Sequence, residues 1–252
     1  MNAVFTGGGT GGHLYPAIAI ADALRARGNG RLEFIGTADR LEATIVPKAG
    51  YALHTVKSAP LRRKFSMQFP RTIAANACGV VQSAAILSRL QPEIVIATGG
   101  YVCFPVVLAA RFLNAVRRLH AKIVLLEPNA KPGLTNRLLA PLVDEVWGAF
   151  PVGDARFHAK YVHTGIPVRA SFKNLDVRAH ALARFGLSPS RSTLLAIGGS
   201  QGARSINDAL TSLVKSEGLP QGWQLIHITG EREYDRVRES LGREEPAVRP
   251  YL

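Results

Sequence analysis

Three glycine-rich segments contain the residues whose types and spacing could do chemistry: residues 7–12, 99–100 and 198–202. Glycine lets the backbone come close to a ligand, and a helix that begins after such a loop presents free N–H groups to phosphate. His13 directly follows the first segment, and its ordinary pKa of about 6.5 suits a general base near neutral pH. His13 is therefore the leading candidate for a base. The alternative is that it only hydrogen-bonds a phosphate or the loop backbone.

The first glycine segment satisfies two familiar phosphate-binding patterns only in part. The spacing Gly7-x-Gly9-x-x-Gly12 matches the dinucleotide fingerprint, which also requires an acidic residue at the end of the second strand, and Asp39 lies beyond that point. A Walker A loop requires lysine where His13 stands. The pattern disfavours NAD and ATP sites. It leaves a phosphate-bearing ligand of another kind, or a tight turn without a ligand.

Apolar runs that alternate with helical periods predict two series of parallel βαβ units. The first series has predicted strands at residues 2–6, 32–35, 94–98, 122–126 and 146–147. The second has predicted strands at residues 193–197, 224–228 and about 248–252. Because ligands bind at the carboxyl ends of parallel strands, we expect the glycine segments and residues 127–129 to line one cleft.

The region between the two series predicts the domain organisation. The stretch at about residues 170–190 is charged and carries no strand pattern, so we expect a linker there. The second series has three predicted strands, whereas a doubly wound domain usually has about five or six. We therefore expect the second domain to be incomplete, which favours a piece of a longer protein over an unusually small domain.

The charge balance favours an anionic partner. The 252 residues include 31 Lys and Arg against 18 Asp and Glu, a net charge of +13, and residues 1–150 hold 17 of the basic and 8 of the acidic side chains. Such an excess attracts phosphorylated substrates, acidic lipid or nucleic acid. Two basic groups stand out: Arg62, Arg63, Lys64 and Arg71, interleaved with Leu61, Phe65, Met67 and Phe69; and Arg111, Arg117, Arg118 and Lys122.

These basic groups have three possible uses. They form an ordinary solvated surface, or dock on anionic lipid with the aromatic residues at the interface, or bind nucleic acid. No RNA- or DNA-binding module is recognisable, so nucleic acid is disfavoured. The sequence shows no apolar run of the length needed to span a bilayer and no secretory signal pattern at its N-terminus. Any membrane contact is therefore expected from one side.

Cysteine and carboxylate usage narrows the chemistry further. Cys78 and Cys103 form no CxxC motif and have no clustered histidines, which argues against a zinc ribbon and a disulfide scaffold and favours a reducing compartment. No carboxylate cluster accompanies the glycine segments. We therefore expect a reaction that uses neither a metal nor a cofactor.

Eight motifs follow one another along the chain: residues 7–16, 36–42, 46–50, 99–102, 127–129, 133–136, 165–169 and 198–203. Their letters include GGGTGGH, GTADRLE, GGYV, GLTN and GGSQGA. In this order they resemble the undecaprenyldiphospho-muramoylpentapeptide β-N-acetylglucosaminyltransferases, which belong to glycosyltransferase family 28. The resemblance runs from residue 2 to the end of the chain. No single motif is decisive, but the ordered series is specific.

The resemblance implies an α/β fold of the GT-B type, with two Rossmann-like doubly wound domains. We place the acceptor and membrane domain at residues 1–168 and a partial UDP-sugar domain at residues 169–252, because members of the family continue further. It also implies inverting transfer of N-acetylglucosamine from UDP-N-acetylglucosamine to lipid I. The product is lipid II, a precursor of peptidoglycan, and the enzyme works peripherally on the cytoplasmic face of the bacterial cell membrane.

The resemblance also implies roles for single residues. Six positions match contacts to the donor or its leaving diphosphate: Thr10, Gly11, Gly12, Asn129, Arg169 and Ser200. Glu127 is the second candidate for the base, and its alternative is a structural carboxylate that holds a loop. Pro128 stands where many relatives have glutamine.

Three other functions remain open from the sequence. The first is a UDP-sugar-binding or lipid-binding subunit that needs a second chain. The second is an inactive fragment, and the third is a related transferase with another lipid acceptor.

Overall fold

A computed structural model describes residues 1–28, 30–60, 69–158, 160–172, 178–199, 202–242 and 248–249. The chain forms two compact units, Met1–Phe172 and Lys173–Leu252. The first unit contains a large parallel sheet and the second a small one. The prediction of two Rossmann-like α/β units, the second smaller than the first, is confirmed.

The first unit is built on seven parallel strands in the described part of the chain: β1 (Ala3–Thr6), β2 (Leu32–Gly36), β3 (Ala52–Thr55), β4 (Ile94–Ala97), β5 (Lys122–Glu127), β6 (Glu145–Gly148) and β7 (Tyr161–His163). Their order is β3-β2-β1-β4-β5-β6-β7. The chain therefore reverses its direction of travel across the sheet between β1 and β4, where open α/β sheets bind ligands. The helices are α1 (Gly11–Arg25), α2 (Leu41–Lys48), α3 (Phe69–Leu90), α4 (Cys103–Ala115), α5 (Leu134–Leu139) and α6 (Ala155–His158).

Helices cover both faces of this sheet. Successive strand residues point to opposite faces, so Val4 packs among residues of α3 and α4 while Phe5 packs among residues of α1 and α2. Phe5 stacks on Phe34 of β2 with ring centroids 5.0 Å apart. Burial on both faces explains why these strands are almost continuously apolar.

Helix α3 corrects one expectation from the sequence. By length and composition alone this helix could cross a membrane, so the expectation that no apolar run approaches such a length is wrong. Core helices of water-soluble domains often have the same length and composition. Residues Asn76, Gly79, Ser83, Leu87 and Leu90 are buried against the first unit, and a Cβ on Gly79 would lie 2.0 Å from the main-chain oxygen of Lys57. One side of α3 is thus a packed face of this unit.

The second unit has three parallel strands among its described residues: β8 (Ser192–Ile197), β9 (Trp223–Ile228) and β10 (Val248–Arg249), in the order β10-β9-β8. Its helices are α7 (Arg178–Phe185), α8 (Arg204–Ser216) and α9 (Tyr234–Leu241). Leu210, Leu225 and Val237 are among its buried side chains. On the edge strand β8, Leu195 is 52% exposed and Ile197 is 49% exposed, although parallel sheets are normally covered on both faces.

Three elements differ from the sequence-based expectation. Strands β3 and β7 were not predicted; they lie at the two edges of the sheet, where partial exposure removes the apolar run. Helix α7 lies within the stretch predicted to be a linker. Helix α1 begins at Gly11, whereas the sequence pattern predicts a helix over residues 15–27 with Pro16 in its first turn. Pro16 is therefore beyond the first turn, where it withholds an N–H group from the carbonyl of Gly12.

Candidate functional site

The carboxyl ends of three adjacent strands bring the predicted site residues of the first unit together. Strands β1, β4 and β5 are neighbours in the sheet, and they lead into residues 7–10, 98–102 and 128–133. The amide of Gly8 donates a hydrogen bond to the main-chain oxygen of Gly99 at 3.3 Å. The first two loops are thus directly joined.

The first glycine loop runs straight into helix α1. Thr10 is the N-cap residue, and its carbonyl accepts hydrogen bonds from the amides of His13 and Leu14, each at 3.2 Å. The amides of Gly11 and Gly12 precede these first intrahelical bonds, so they belong to the free donors of the helix N-terminus. The Thr10 side chain makes no capping bond within the described residues. Its hydroxyl therefore stays available beside those amides.

The glycines of the loops after β1 and β4 differ in how much space surrounds them. A Cβ on Gly11 would lie 3.0 Å from the ring of Tyr15, and a Cβ on Gly100 would lie 2.3 Å from the main-chain oxygen of Gly8. Gly12, in contrast, is exposed, and the nearest described atom to its Cβ position is the Thr10 hydroxyl oxygen at 3.8 Å. The described packing therefore leaves room for a side chain at Gly12. A ligand bound at this loop would use the same space.

The imidazole of His13 is held in one orientation. Its Nδ1 lies 3.0 Å from the main-chain oxygen of Thr98. Because a carbonyl oxygen can only accept, Nδ1 must carry the proton, and in the neutral ring Nε2 then keeps its lone pair. Burial lowers the pKa of His13 below its ordinary value of 6.5, against smaller opposing effects of the Thr98 carbonyl and Glu127. The neutral ring is therefore favoured at pH 7.

Two residues of the β4 loop fix this orientation. The Thr98 hydroxyl donates a hydrogen bond of 2.7 Å to the main-chain oxygen of His13, so Thr98 holds both the backbone and the ring of this residue. A Cβ on Gly99 would lie 2.5 Å from Nδ1 of His13. Gly99 must therefore lack a side chain for the ring to sit where it does, and its φ of +104° also favours glycine.

Glu127 and Asn129 come together at the end of β5. Glu127 is 1% exposed, and one of its oxygens, Oε1, accepts from the Asn129 amide at 2.9 Å and from Asn129 Nδ2 at 3.0 Å. The other, Oε2, accepts from Asn136 Nδ2 at 2.9 Å and from the Gly133 amide at 3.4 Å. Four donors thus use both carboxylate oxygens, which favours the loop-holding alternative over a free base.

The guanidinium of Arg169 lies over two aromatic rings, one of which belongs to helix α1. Its guanidinium carbon is 4.5 Å from the ring centroid of Tyr15 and 5.0 Å from that of Phe172. Cation–π contacts of this geometry orient the charge without neutralising it. Because the Tyr15 ring also lies beside Gly11, the cation is close to the first turn of α1.

A buried hydrogen-bond network lies beside Gly202, the last glycine of the segment in the second unit. A Cβ on Gly202 would lie 1.9 Å from the main-chain oxygen of Thr229. Asn207 donates to that oxygen at 3.0 Å, and its Oδ1 lies 2.9 Å from Nε2 of His227. Ser200, the predicted donor contact on this loop, lies outside the described residues, as do the predicted basic and apolar residues at positions 61–68.

One buried thiol lies beneath the site. Cys103 is fully buried, with Sγ 3.1 Å from the main-chain oxygen of Gly99. Burial raises its pKa to about 12, so the thiol stays protonated and unreactive.

Sequence reasoning missed three side chains that shape the site of the first unit. Thr98 and Asn136 hold His13 and Glu127 respectively, and Glu42 contacts the first glycine loop. In the second unit it missed Asn207, which donates to the main-chain oxygen of Thr229 beside Gly202. Asn136 and Glu42 stand in the GLTN and GTADRLE motifs, so their motif membership was the available signal. Nothing in the sequence names the partner of Thr98 or of Asn207.

The fold and the glycine loops at its strand ends define a class of protein. The chain is similar in structure to the crystal structure of Acinetobacter baumannii MurG, with a TM-score of 0.65 and 23% identity over 100% of this chain and 66% of that one. At this identity the likeness shows the fold alone, which is GT-B. The model of the glycosyltransferase family 28 N-terminal domain matches residues 3–147, more than half of the chain. The chain therefore belongs to glycosyltransferase family 28.

Curated relatives agree with this family. The UDP-N-acetylglucosamine–N-acetylmuramyl-(pentapeptide) pyrophosphoryl-undecaprenol N-acetylglucosamine transferase of Halalkalibacterium halodurans is 39% identical over 100% of this chain and 69% of its own length. The protein of the same name from Moorella thermoacetica is 42% identical over 96% of this chain and 64% of its own. The chain thus spans about two thirds of the length of these relatives.

Proposed function

We propose that this chain takes part in the transfer of N-acetylglucosamine from UDP-N-acetylglucosamine to lipid I, with inversion at the anomeric carbon, to form lipid II for peptidoglycan. The orientation of His13 is the single observation that carries the proposal. A half-buried, neutral imidazole with Nδ1–H bonded to Thr98, and with no hydrogen bond from Nε2 to a described residue, is the arrangement of an oriented general base. The names of the relatives supply the donor and the acceptor.

The proposed mechanism assigns each group one task. Nε2 of His13 takes the proton of the acceptor hydroxyl as its oxygen attacks the anomeric carbon, and the bond from that carbon to the UDP oxygen breaks. The Thr10 hydroxyl and the amides of Gly11 and Gly12 stabilise phosphate charge at the N-terminus of α1. Arg169 adds a cation nearby. Ser200 keeps the role of a donor contact that its motif implies. Asn129 orients the donor sugar, while Glu127 holds the loop that carries Asn129.

The replacement His13→Ala tests the base directly. We expect transfer to fall at least 10²-fold, the low end of general-base contributions. In the unchanged chain kcat/KM should fall on acidification only below pH 6.5, because the pKa of His13 is lowered and the neutral ring is the active form. Transfer is measured with labelled donor, and near-ultraviolet dichroism checks the fold.

The exposed His120, which precedes β5, provides the matched control. His120→Ala should leave the rate and its pH profile unchanged. Near-normal turnover of His13→Ala, or an acidic limb above pH 6.5, would remove His13 as the base.

We further propose that the first unit docks on an anionic membrane surface through α3 and α4, which lie on the same face of its sheet. Among the exposed apolar side chains of these helices, Ile73 is 52%, Val81 71% and Phe112 62% exposed. Arg71, Arg117 and Arg118 lie on or next to the same helices, whereas Arg111 pairs with Asp144 and Lys122 with Glu145. Each well-placed cation adds about 1 kcal/mol of attraction to anionic lipid.

Sedimentation with vesicles tests this docking surface. We expect the chain to sediment with phosphatidylglycerol vesicles at low salt, to be released at high salt, and to ignore phosphatidylcholine vesicles. Val81→Asp should weaken sedimentation at least fivefold. Leu213→Asp, at an apolar residue of the second unit that is 41% exposed, is the control and should not change it. Absence of binding at low salt would exclude the surface.

A second candidate function is a sugar-nucleotide-binding subunit that acts only with another polypeptide. The exposure of Leu195 and Ile197 on β8 favours it, because these residues, and the edge of β8 that pairs with no other described strand, fit an added strand and helix. The discriminating measurement adds the part of the Halalkalibacterium relative that has no counterpart here. Transfer that appears only in the mixture identifies the subunit, and transfer by the chain alone excludes it.

A further inference from the structure

The GTADRLE motif at residues 36–42 has a structural task that the proposed function leaves unused. Its last residue, Glu42 on α2, is 1% exposed although it is a carboxylate. Its Oε1 accepts from the Thr37 amide at 3.1 Å and from the Thr37 hydroxyl at 2.6 Å. Its Oε2 accepts from the amide of Gly9 at 3.1 Å. A side chain of α2 therefore reaches under the first glycine loop and binds its backbone.

Two glycines make the space for this carboxylate. A Cβ on Gly8 would lie 2.5 Å from Oε1 of Glu42, and a Cβ on Gly36 would lie 2.7 Å from its Cγ. One glycine comes from the loop and the other from the end of β2. Since neither contact tolerates a side chain, the loop and the strand are shaped around Glu42. A buried carboxylate needs several donors of this kind, and here three are supplied.

The carboxylate completes a two-sided attachment of the loop. On the β4 side, the Gly8 amide donates to the carbonyl of Gly99, the residue under the His13 ring. On the α2 side, the next amide along the chain, that of Gly9, donates to Glu42. The residues that follow are Thr10 and the first turn of α1. Because two consecutive amides donate hydrogen bonds to opposite sides of the loop, the loop has little freedom to shift.

We propose that Glu42 is a positioning residue of the transferase site, which fixes the first glycine loop and thereby the place of His13 and of the first amides of α1. The inference rests on the proposed function, in which those groups act on the substrates. Glu42 itself contacts neither substrate. Preorganised donors cost no reorganisation at the moment of reaction, so loss of this attachment should appear in kcat before KM.

Glu42→Gln is a sharp variant because an amide cannot replace the carboxylate. Whichever way the amide turns, its NH₂ group faces either the Gly9 amide or the Thr37 amide, and one of these donors loses its acceptor. Glu42→Asp is the second variant. Aspartate keeps a carboxylate, so no NH₂ group faces the amide of Gly9 or Thr37. Its side chain is one CH₂ group shorter, however, and cannot reach both residues. Together the variants separate misfolding from loss of the attachment.

Asp144 supplies the matched control. Its Oδ2 accepts from the amide of Ile123 at 2.8 Å, at the opposite end of β5 from the site. In Glu42→Gln and Glu42→Asp we expect amide hydrogen exchange at Gly9 to be at least tenfold faster and exchange at Ile123 to be unchanged. Asp144→Ala, which removes the acceptor of the Ile123 amide, should reverse this pattern. The measurement requires no substrate and is made on the whole chain.

Two further readouts separate positioning from simple stability. The pKa of His13, followed by NMR, should move up towards 6.5 in both Glu42 variants, because a loosened loop admits water to the ring, and should stay in place in Asp144→Ala. In transfer assays kcat should fall at least tenfold while KM for the donor changes less than threefold. Unchanged Gly9 exchange, an unmoved His13 pKa, or kcat within twofold of the unchanged chain would overturn the proposal. If the unchanged chain shows no transfer, the proposed function fails, and exchange with the His13 titration still decides whether Glu42 positions the loop.

Discussion

Single atoms of the backbone decide what His13 can do. The carbonyl of Thr98 sets the tautomer, and the missing Cβ of Gly99 leaves room for the ring. The sequence motif that contains His13 predicts neither the tautomer nor the space for the ring. The same scale explains why Glu127, an obvious acid in the sequence, is committed to four donors of its own loop.

Gly12 allows fold and function to be separated at one residue. Because the described structure has room for a Cβ at this position in the first turn of α1, Gly12→Ala should leave the free energy of unfolding unchanged or raise it by up to about 1 kcal/mol. Transfer should fall at least tenfold if phosphate occupies that space. Denaturant unfolding and initial transfer rates check the two parts.

Gly153 is the control for this replacement. No described heavy atom lies within 4 Å of its Cβ position, and it is outside the proposed site. Gly153→Ala should likewise leave the free energy of unfolding unchanged or raise it by up to about 1 kcal/mol, and it should not change transfer. A Gly12→Ala chain that unfolds more easily would show that this glycine is required by the fold, and one with full transfer would show that no ligand comes close to it.

The candidate site was predictable from the sequence where local pattern determines position. A glycine run between a strand and a helix predicted a loop at the end of β1, and the structure places His13 just after it, in the first turn of α1. Anion binding by this loop stays a prediction. The attachments of that loop were not predictable, because Glu42 and Thr98 reach it from 33 and 85 residues away. Such contacts depend on strand order in the sheet, which a single sequence does not state.

At the scale of elements, the buried pair between α8 and β9 makes the second unit sensitive to acid. Nε2 of His227 donates to Oδ1 of Asn207, and its Nδ1 has no partner among the described residues. Burial lowers the pKa of His227 below 6.5. The unfolded chain therefore takes up this proton first as the pH falls through 6.5, and the free energy of unfolding decreases below that pH.

Replacement of this histidine tests the effect. Between pH 7.5 and about pH 5 the melting temperature of the second unit should fall, and in His227→Gln the fall should be smaller, because glutamine keeps a donor for Asn207 but does not titrate. Calorimetry at several pH values measures both. Equal acid sensitivity in the two chains would assign the effect to other groups.

Elements were predictable in proportion to their burial. Strands β1, β4 and β5, in the middle of the sheet, were predicted within one residue at each end. The edge strands β3 and β7 were missed because most of their residues are exposed or half-buried. Helix α7 was hidden by its charged sequence, and the start of α1 was hidden because glycine has low helix propensity.

For the whole molecule, two separate cores predict two unfolding transitions. Ile123 is fully buried in the first unit and Leu225 is 3% exposed in the second. Deletion of either side chain leaves a cavity that costs about 2–5 kcal/mol. We therefore expect Ile123→Ala to lower only the first unit's melting temperature and Leu225→Ala only that of the second.

Differential scanning calorimetry of the two variants provides the measurement, and each serves as the other's control. A single transition displaced equally by both replacements would mean that the units unfold as one. The smaller sheet, with its exposed β8 residues, should give the transition at lower temperature.

The buried thiol of Cys103 gives the chain a practical property. Of its two cysteines, this one is fully enclosed with a pKa of about 12, while Cys78 is partly exposed on α3. A maleimide dye should therefore label Cys78 alone without any engineering. The label would sit on the helix whose apolar side is proposed to meet lipid, so a polarity-sensitive fluorophore would report membrane contact by its colour.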